Sequence, residues 1–360
     1  MRTIKKFTEM KYDSPYYTKE NLLIDMALDC DYTVLTSVRN IGKSYSAMCY
    51  AGDLINMGKT VVWERYNKDE YQLAKNTLVN FFPDYVDISK GSLTCLQNEE
   101  SGGKIYIVQT STANNLKGYD EKDYDSLPVL EIKDEFLPIR YNNSTRLTTE
   151  YFLAMEIRKT FKRNGPMRSL YLGNNLNWLN PYTMNWTMPL VSIGERVKVI
   201  DTYKLKFNEE EITSDRTILW HSIKPSEQML KRIFSSEVAS LNQDSLEEYF
   251  SNEFYKEYSC IGKCPDMQKP LAKYEIMSEN YFIGIREYNG RLYFCHVNHD
   301  VNKPVYVSET VYVDVDKGFI KLKSMGGEFE NLLNTGYCIF DSQKTYFAFF
   351  RWIINLRKRV

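Results

Sequence analysis

Thr33-Val34-Leu35-Thr36-Ser37-Val38-Arg39-Asn40-Ile41-Gly42-Lys43-Ser44-Tyr45 begins as a short β-rich run, turns at a glycine and leads into a helical stretch, Ser44 to Asn56, that stops at Gly58. Residues 37–44 follow the spacing GxxxxGK[ST], with Ser37 in place of the first glycine. In that spacing the backbone N–H groups and the helix N-terminus cradle phosphates. The lysine reaches the outer phosphate oxygens and the following hydroxyl holds magnesium. Ser37, Val38, Arg39, Asn40, Ile41, Gly42, Lys43, Ser44 and Tyr45 are therefore candidate ATP-binding residues, with Ser44 a candidate Mg2+ ligand. A second triplet, Gly58-Lys59-Thr60, has the same letters in the wrong order of elements. It follows a helix and precedes a strand, so Gly58 reads as a helix C-cap.

Outward from this loop, β-rich and helical runs alternate. Thr60 to Arg65, Lys104 to Gln109, Val129 to Ile132 and Arg168 to Leu172 read as strands; Tyr71 to Phe82 and Tyr151 to Lys162 read as helices. Such alternation predicts an α/β domain with a mainly parallel sheet. The run Val129-Leu130-Glu131-Ile132-Lys133-Asp134-Glu135 ends in two carboxylates, though Glu131 and Lys133 interrupt its apolar pattern. Downstream of a phosphate loop, the first acid of such a pair holds magnesium, which makes Asp134 the second metal candidate. Glu135 is then the candidate general base, polarising the attacking water. A third strand ends at Gly173-Asn174-Asn175, where Asn174 can sense the terminal phosphate or the water.

After about residue 206 the pattern changes. Pro225 to Tyr258 reads as helical with Ser226 a cap, Asn289-Gly290 joins two strand-like runs as a hairpin, and Gln343 to Arg357 reads as a closing helix. The expected division is an ATPase domain over 1–206, a helical linker over 207–255 and a smaller α+β domain over 256–360. The 360 residues carry a net charge of −1, with 43% apolar and 26% charged residues. Residues 140–206 alone hold 11 Lys/Arg against 4 Asp/Glu, a surplus that can meet phosphates or form a solvated helix face. The seven cysteines form no CxxC pair, which favours reduced thiols over a disulfide framework or a zinc site. Neither a signal peptide nor an apolar run of membrane-spanning length is visible.

With these elements placed, the chain resembles the genome-packaging ATPases of small podoviruses, relatives of terminase large subunits. The matching strings are Arg39 to Tyr45, Trp63 to Tyr66, Asp134 to Phe136, Asn174 with Asn180-Pro-Tyr182, His299-Asp300 and Phe340 to Gln343, in order along nearly the whole chain. The resemblance implies an ATPase of the added-acid (ASCE) type with ATP and Mg2+ as cofactors, a linker, and an RNase H-like C-terminal domain. It implies a homo-oligomeric ring, a pentamer by that resemblance, at the portal of a procapsid in the host cytoplasm. The ring drives double-stranded viral DNA inward, and in some members it contacts a structural packaging RNA.

The resemblance also supplies basic residues. Arg39 joins Lys43 in stabilising the terminal phosphate. Arg163 best matches a residue acting on a neighbour's site, with Arg158 a competing choice, and Lys117 matches a second such position. Lys68 and Arg140 follow strands and are candidates for phosphate contacts with DNA. Ser37 and Asn40 stand where relatives carry glycine, so the loop is expected to take different angles, which Asn tolerates. Asp300, Asp314, Asp316 and Asp341 do not cluster in sequence as a two-metal nuclease requires, so the C-terminal domain reads as a degenerate nuclease. Two alternatives remain: a terminase whose nuclease is live, and a nucleic-acid-binding scaffold with a vestigial phosphate loop.

Overall fold

A computed structural model of the chain describes residues 1–12, 14–38, 40–89, 93–116, 127–136, 144–162, 165–174, 180–189, 191–207, 210–234, 272–278, 281–288, 291–296, 305–307, 338–342, 345–346 and 348–349. It divides into two compact units, one of Met1–Leu176 with Val191–Glu247, the other of Asn177–Leu190 with Glu248–Val360.

The first unit is built on a ten-stranded sheet. Its strands are β1 (Arg2–Phe7), β2 (Tyr32–Ser37), β3 (Thr60–Arg65), β4 (Val86–Asp87), β5 (Thr94–Gln97), β6 (Lys104–Gln109), β7 (Pro128–Asp134), β8 (Arg168–Asn174), β9 (Arg196–Phe207) and β10 (Glu210–Ser222). The order is β1-β9-β10-β2-β8-β7-β3-β6-β5-β4. The six strands from β10 to β6 run parallel, and antiparallel strands extend both edges. The mainly parallel α/β sheet expected from the alternation is present, and β3 and β6 match the sequence reading at both ends.

Side-chain alternation divides the sheet into two faces. Val61, Trp63, Leu130 and Ile132 join the larger core with residues of α1 (Lys19–Met26), α2 (Lys43–Asn56) and α3 (Lys68–Phe81). Val62 turns the other way, toward Ile157 and Phe161 of α4 (Ser144–Lys162). The same alternation explains Glu131 and Lys133. Both are buried on the α4 side, where Lys133 Nζ donates to Thr110 Oγ1 (2.8 Å) and lies 3.4 Å from Glu64 and 4.0 Å from Glu150. Glu131 faces Arg158 of α4 at 3.6 Å and accepts from Ser169. The interruptions in the apolar run are thus a sealed seam of charge that ties α4 to the sheet.

The boundary expected near residue 206 falls at the end of β9. β10 turns straight back along β9 and pairs in parallel with β2, so the first unit continues to Glu247 and 210–222 is strand rather than helical linker. Hydrogen bonding between strands distant in sequence decides this, and composition does not register it. Helix α6 (Glu227–Phe234) begins where Ser226 Oγ accepts from the Met229 amide, as expected; the rest of the stretch to Tyr258 lies outside the described residues.

In the second unit, α5 (Pro181–Trp186) is capped by Asn180, whose Oδ1 accepts from the amides of Tyr182 and Thr183. Its sheet has the order β14-β11-β12-β13-β15, made of β11 (Ala272–Ser278), β12 (Tyr281–Tyr288), β13 (Arg291–His296), β14 (Val305–Val307) and β15 (Cys338–Phe340). β12 and β13 form the antiparallel pair expected about Asn289-Gly290, while β14 and β15 run parallel to their neighbours. Residues 345–346 and 348–349 are helical, and the remainder of the closing helix is not among the described residues. Cys30, Cys49 and Cys95 are free thiols, but Cys295 is disulfide-bonded, against the expectation of reduced cysteines. Sequence spacing carries no information on which cysteines a fold brings together. Among the described residues, no helix is long and apolar enough to cross a membrane and no cluster could hold a metal through His, Cys, Asp and Glu alone.

Candidate functional site

The strand order inserts β8 between β2 and β7, so the C-terminal tips of all three lie side by side. The register sets Ser37 opposite Asn174 and Asp134 opposite Leu172. In open α/β sheets the carboxyl ends of the strands, near a reversal of strand order, are where ligands bind. A cleft of about 800 Å³ opens there, lined by residues 14 and 16–20, residues 40–46, Cys49, Asp134, Glu135, Leu172, Gly173 and Asn174.

Two described residues of the loop after β2 have left-handed backbone. Asn40 has φ 61° and Gly42 has φ 101°, both left-handed. The first is the tolerance expected of asparagine; the second leaves no room for a side chain, since a Cβ on Gly42 would sit 2.8 Å from the Tyr17 carbonyl oxygen. Ser37 ends β2 and anchors the loop directly. Its hydroxyl donates to the Val38 carbonyl (2.7 Å) and accepts from Lys43 Nζ, which also donates to Val38 (3.1 Å). Lys43 is buried, with its ammonium held at the loop by these oxygens. Tyr45 is 62% exposed and lies edge-on to Phe81 at the cleft rim. The decoy Gly58 has φ 75° and caps α2, its amide donating to Ile55, as the order of elements required.

Opposite the loop, Ser44 Oγ donates to Asp134 Oδ1 at 2.9 Å. The two oxygen donors proposed for a magnesium ion are therefore adjacent, and their hard oxygen chemistry fits that ion. Burial raises the Asp134 carboxyl above its ordinary range, offset by Arg65 and by the Ser44 hydrogen bond. Glu135 is the first residue past β7, exposed, with φ 54°. That left-handed angle is costly for a glutamate, and Glu135 lines the cleft. Asn174 is buried at the tip of β8 and lines the same cleft.

Arg65, at the tip of β3, carries a role that the sequence does not reveal. Its Nη2 donates to Asp134 Oδ2 at 2.6 Å and its Nη1 lies 2.8 Å from Glu135 Oε2. One guanidinium thus bridges both acids. The available signal is a basic residue closing a strand in Trp63-Glu64-Arg65-Tyr66, but its partner becomes visible only once β3 and β7 are paired.

The remaining candidates divide plainly. Lys68 is exposed at the start of α3. Arg39, Lys117, Arg140 and Arg163 lie outside the described residues. Arg158 is a correction: it is 5% exposed, its guanidinium faces Glu131, donates to Ser169 and to the Met167 carbonyl (3.1 Å), and covers the Tyr32 ring. A side chain sealed in this way cannot reach a neighbouring subunit. The basic surplus of 140–206 is also partly spent inside the unit, since Lys162, Arg168 and Arg196 pair with Asp31, Asp29 and Asp25.

No known family model matches this sequence, and no curated protein does. Among solved structures, the chain is similar to the Phi-28 gp11 DNA packaging motor, with a TM-score of 0.57 and 15% identity over 95% of this chain and 98% of that one. The chain has the fold of a phage packaging motor protein. A second packaging-motor structure, the bacteriophage Phi-29 viral genome packaging motor assembly, aligns with a TM-score of 0.53 and 18% identity over 94% of this chain and 100% of that one. Both alignments run over nearly the whole of this chain.

Proposed function

We propose that this chain is the ATPase subunit of a motor that moves double-stranded viral DNA into a procapsid, acting as a homo-oligomeric ring at the portal in the host cytoplasm. The observation that carries the reading is the convergence of Lys43, Ser44, Asp134, Glu135 and Asn174 on one cleft at the tips of β2, β7 and β8. Phosphoryl transfer asks the protein for positioning and charge more than for covalent chemistry, and this set supplies both.

The residues divide the chemistry among them. The loop amides and Lys43 hold the β- and γ-phosphates of ATP. Ser44 and Asp134 would hold Mg2+, which when bound neutralises charge on those oxygens. Glu135 orients the attacking water and takes its proton, and its ion pair with Arg65 sets where that carboxylate points. Asn174 lies where it can report the state of the terminal phosphate to β8. Arg39 adds charge at the loop, and Arg163, with Lys117, completes the site of the adjacent subunit. Lys68 and Arg140 are proposed to touch DNA phosphates. A pentameric ring and a structural RNA belong to the same proposal.

The C-terminal unit is proposed to be a degenerate RNase H-type nuclease used for docking. Its meander β11-β12-β13 with β14 parallel to β11 suits that topology. In that unit the Asp341 carboxylate accepts from the His296 amide (2.7 Å) and from the Thr345 hydroxyl. Mixed rings test the proposal. Arg163→Ala subunits doped into wild-type rings should stall packaging out of proportion to their share, because each spoils a neighbour. Loss in simple proportion to the mutant fraction would refute action across the interface.

A further inference from the structure

Five residues from two distant stretches of the chain, Tyr12, Tyr17 and Asp25 with Arg196 and His221, meet behind one wall of the cleft. Asp25 of α1 is fully buried, and both of its oxygens are engaged. Oδ1 accepts from Arg196 Nε at 2.9 Å and lies 2.8 Å from Arg196 Nη2. Oδ2 accepts from Tyr17 Oη at 2.8 Å and meets His221 Nδ1 at 2.6 Å. A carboxylate only accepts, so the proton of this last bond sits on His221 Nδ1, and His221 Nε2 meets Tyr12 Oη at 3.0 Å. Burial and the Asp25 charge keep the Tyr17 phenol well above its ordinary range, which fixes it as a donor.

Tyr17 is held just as firmly at its backbone. Its amide donates to the Ile41 carbonyl (2.8 Å), and its own carbonyl accepts from Ser46 Oγ (2.7 Å). Those two partners bracket Gly42, Lys43 and Ser44, and it is the same carbonyl that forbids a side chain on Gly42. The flanking residues Tyr16, Thr18 and Lys19 line the cleft. Tyr17 therefore joins the buried Asp25 node both to the phosphate loop and to the facing wall. The catalytic acids are bonded elsewhere, to Ser44 and Arg65.

We propose that Asp25 is a positioning residue for nucleotide binding: through Tyr17 it fixes the wall of residues 14–20 against the phosphate loop and so sets affinity for ATP rather than the rate of the chemical step. The proposal rests on reading the cleft as an ATP site. A fixed wall spares the nucleotide the cost of ordering it, which raises affinity through pre-organisation. Arg196 and His221, from β9 and β10, extend the node toward the edge of the sheet.

The test uses the full chain, with fluorescent ATP-analogue titration for Kd, steady-state hydrolysis for KM and kcat, and circular dichroism to confirm folding. Tyr17→Phe removes one hydroxyl and nothing else. It is expected to raise Kd and KM by about 5- to 10-fold while kcat falls by less than about twofold. Asp25→Asn should weaken binding further, because its amide presents a donor to His221; if that variant fails to fold, Tyr17→Phe still decides. Unchanged affinity in Tyr17→Phe, or a fall in kcat at unchanged affinity, overturns the proposal, provided Lys43→Ala abolishes binding in the same assay. A wild-type chain that binds no nucleotide removes the site reading and this proposal together.

Discussion

β3 and β7 each present charge on both faces of the sheet, and the two faces use it differently. On the loop side, Arg65 and Asp134 meet with Glu135 at the strand tips, beside an open cleft. One residue back along each strand, on the α4 side, Glu64 and Lys133 meet in a closed interior with Glu131, Glu150 and Arg158. Residue types are alike, although the ion pairs are shorter at the tips (2.6 and 2.8 Å) than in the seam (3.4 to 4.0 Å). Access is what differs. At the tips, the acids can act on something that enters; in the seam, the same chemistry can only fix how α4 lies on the sheet. Buried pairs of this kind are weak evidence for net stability, but removing one partner is costly, because the other is left as a buried charge.

Substitutions that treat the two clusters alike should give opposite phenotypes. Glu135→Gln should lower ATP turnover by about 10²- to 10⁴-fold, the range for a lost general base, while leaving the melting temperature within a few degrees of wild type. A large loss of stability would mean that the tip cluster is structural too. Lys133→Met, in the seam, should cost about 3–5 kcal/mol of stability in urea unfolding near pH 9, where Glu64 is ionised, because Glu64 and Glu150 lose their cation. A cost under about 1 kcal/mol would show that the seam does not hold α4.

The smallest effect concerns pH. Burial pushes the Glu64 carboxyl up to about 8, with Lys133 pulling the other way. A carboxyl raised on folding contributes stability at low pH that is lost as pH climbs from its ordinary value through about 8. Glu64→Gln has no such titration, so its stability relative to wild type should improve by roughly 3 kcal/mol between about pH 6 and pH 9. Parallel stability–pH curves for the two proteins would remove Glu64 from the account.

What can be read from the sequence follows the same division between local and distant. The phosphate loop, the acid pair Asp134-Glu135 and the strand ending at Asn174 are local patterns, each legible because a few consecutive residues define it. The decoy at Gly58 is separable for the same reason, since the order of elements is written in the chain. Arg65, Asp25 and Tyr17 are not legible in this way. Each acquires its meaning from strands or helices that pair across long separations, such as Asp25 with Arg196 and His221. β10 escapes a sequence reading for that reason too: nothing in Glu210–Ser222 announces that it lies beside β2. Arg158 shows the converse, a basic residue well placed in sequence whose burial removes it from the expected role.

The open cluster is proposed to hydrolyse ATP and the closed one is not. Magnesium-dependent ATP turnover by the purified chain, measured with and without double-stranded DNA and compared with Lys43→Ala, tests it most directly. Turnover is expected in the wild type, raised by DNA and abolished by Lys43→Ala. Equal turnover in the two proteins, or none in either under both conditions, would contradict it.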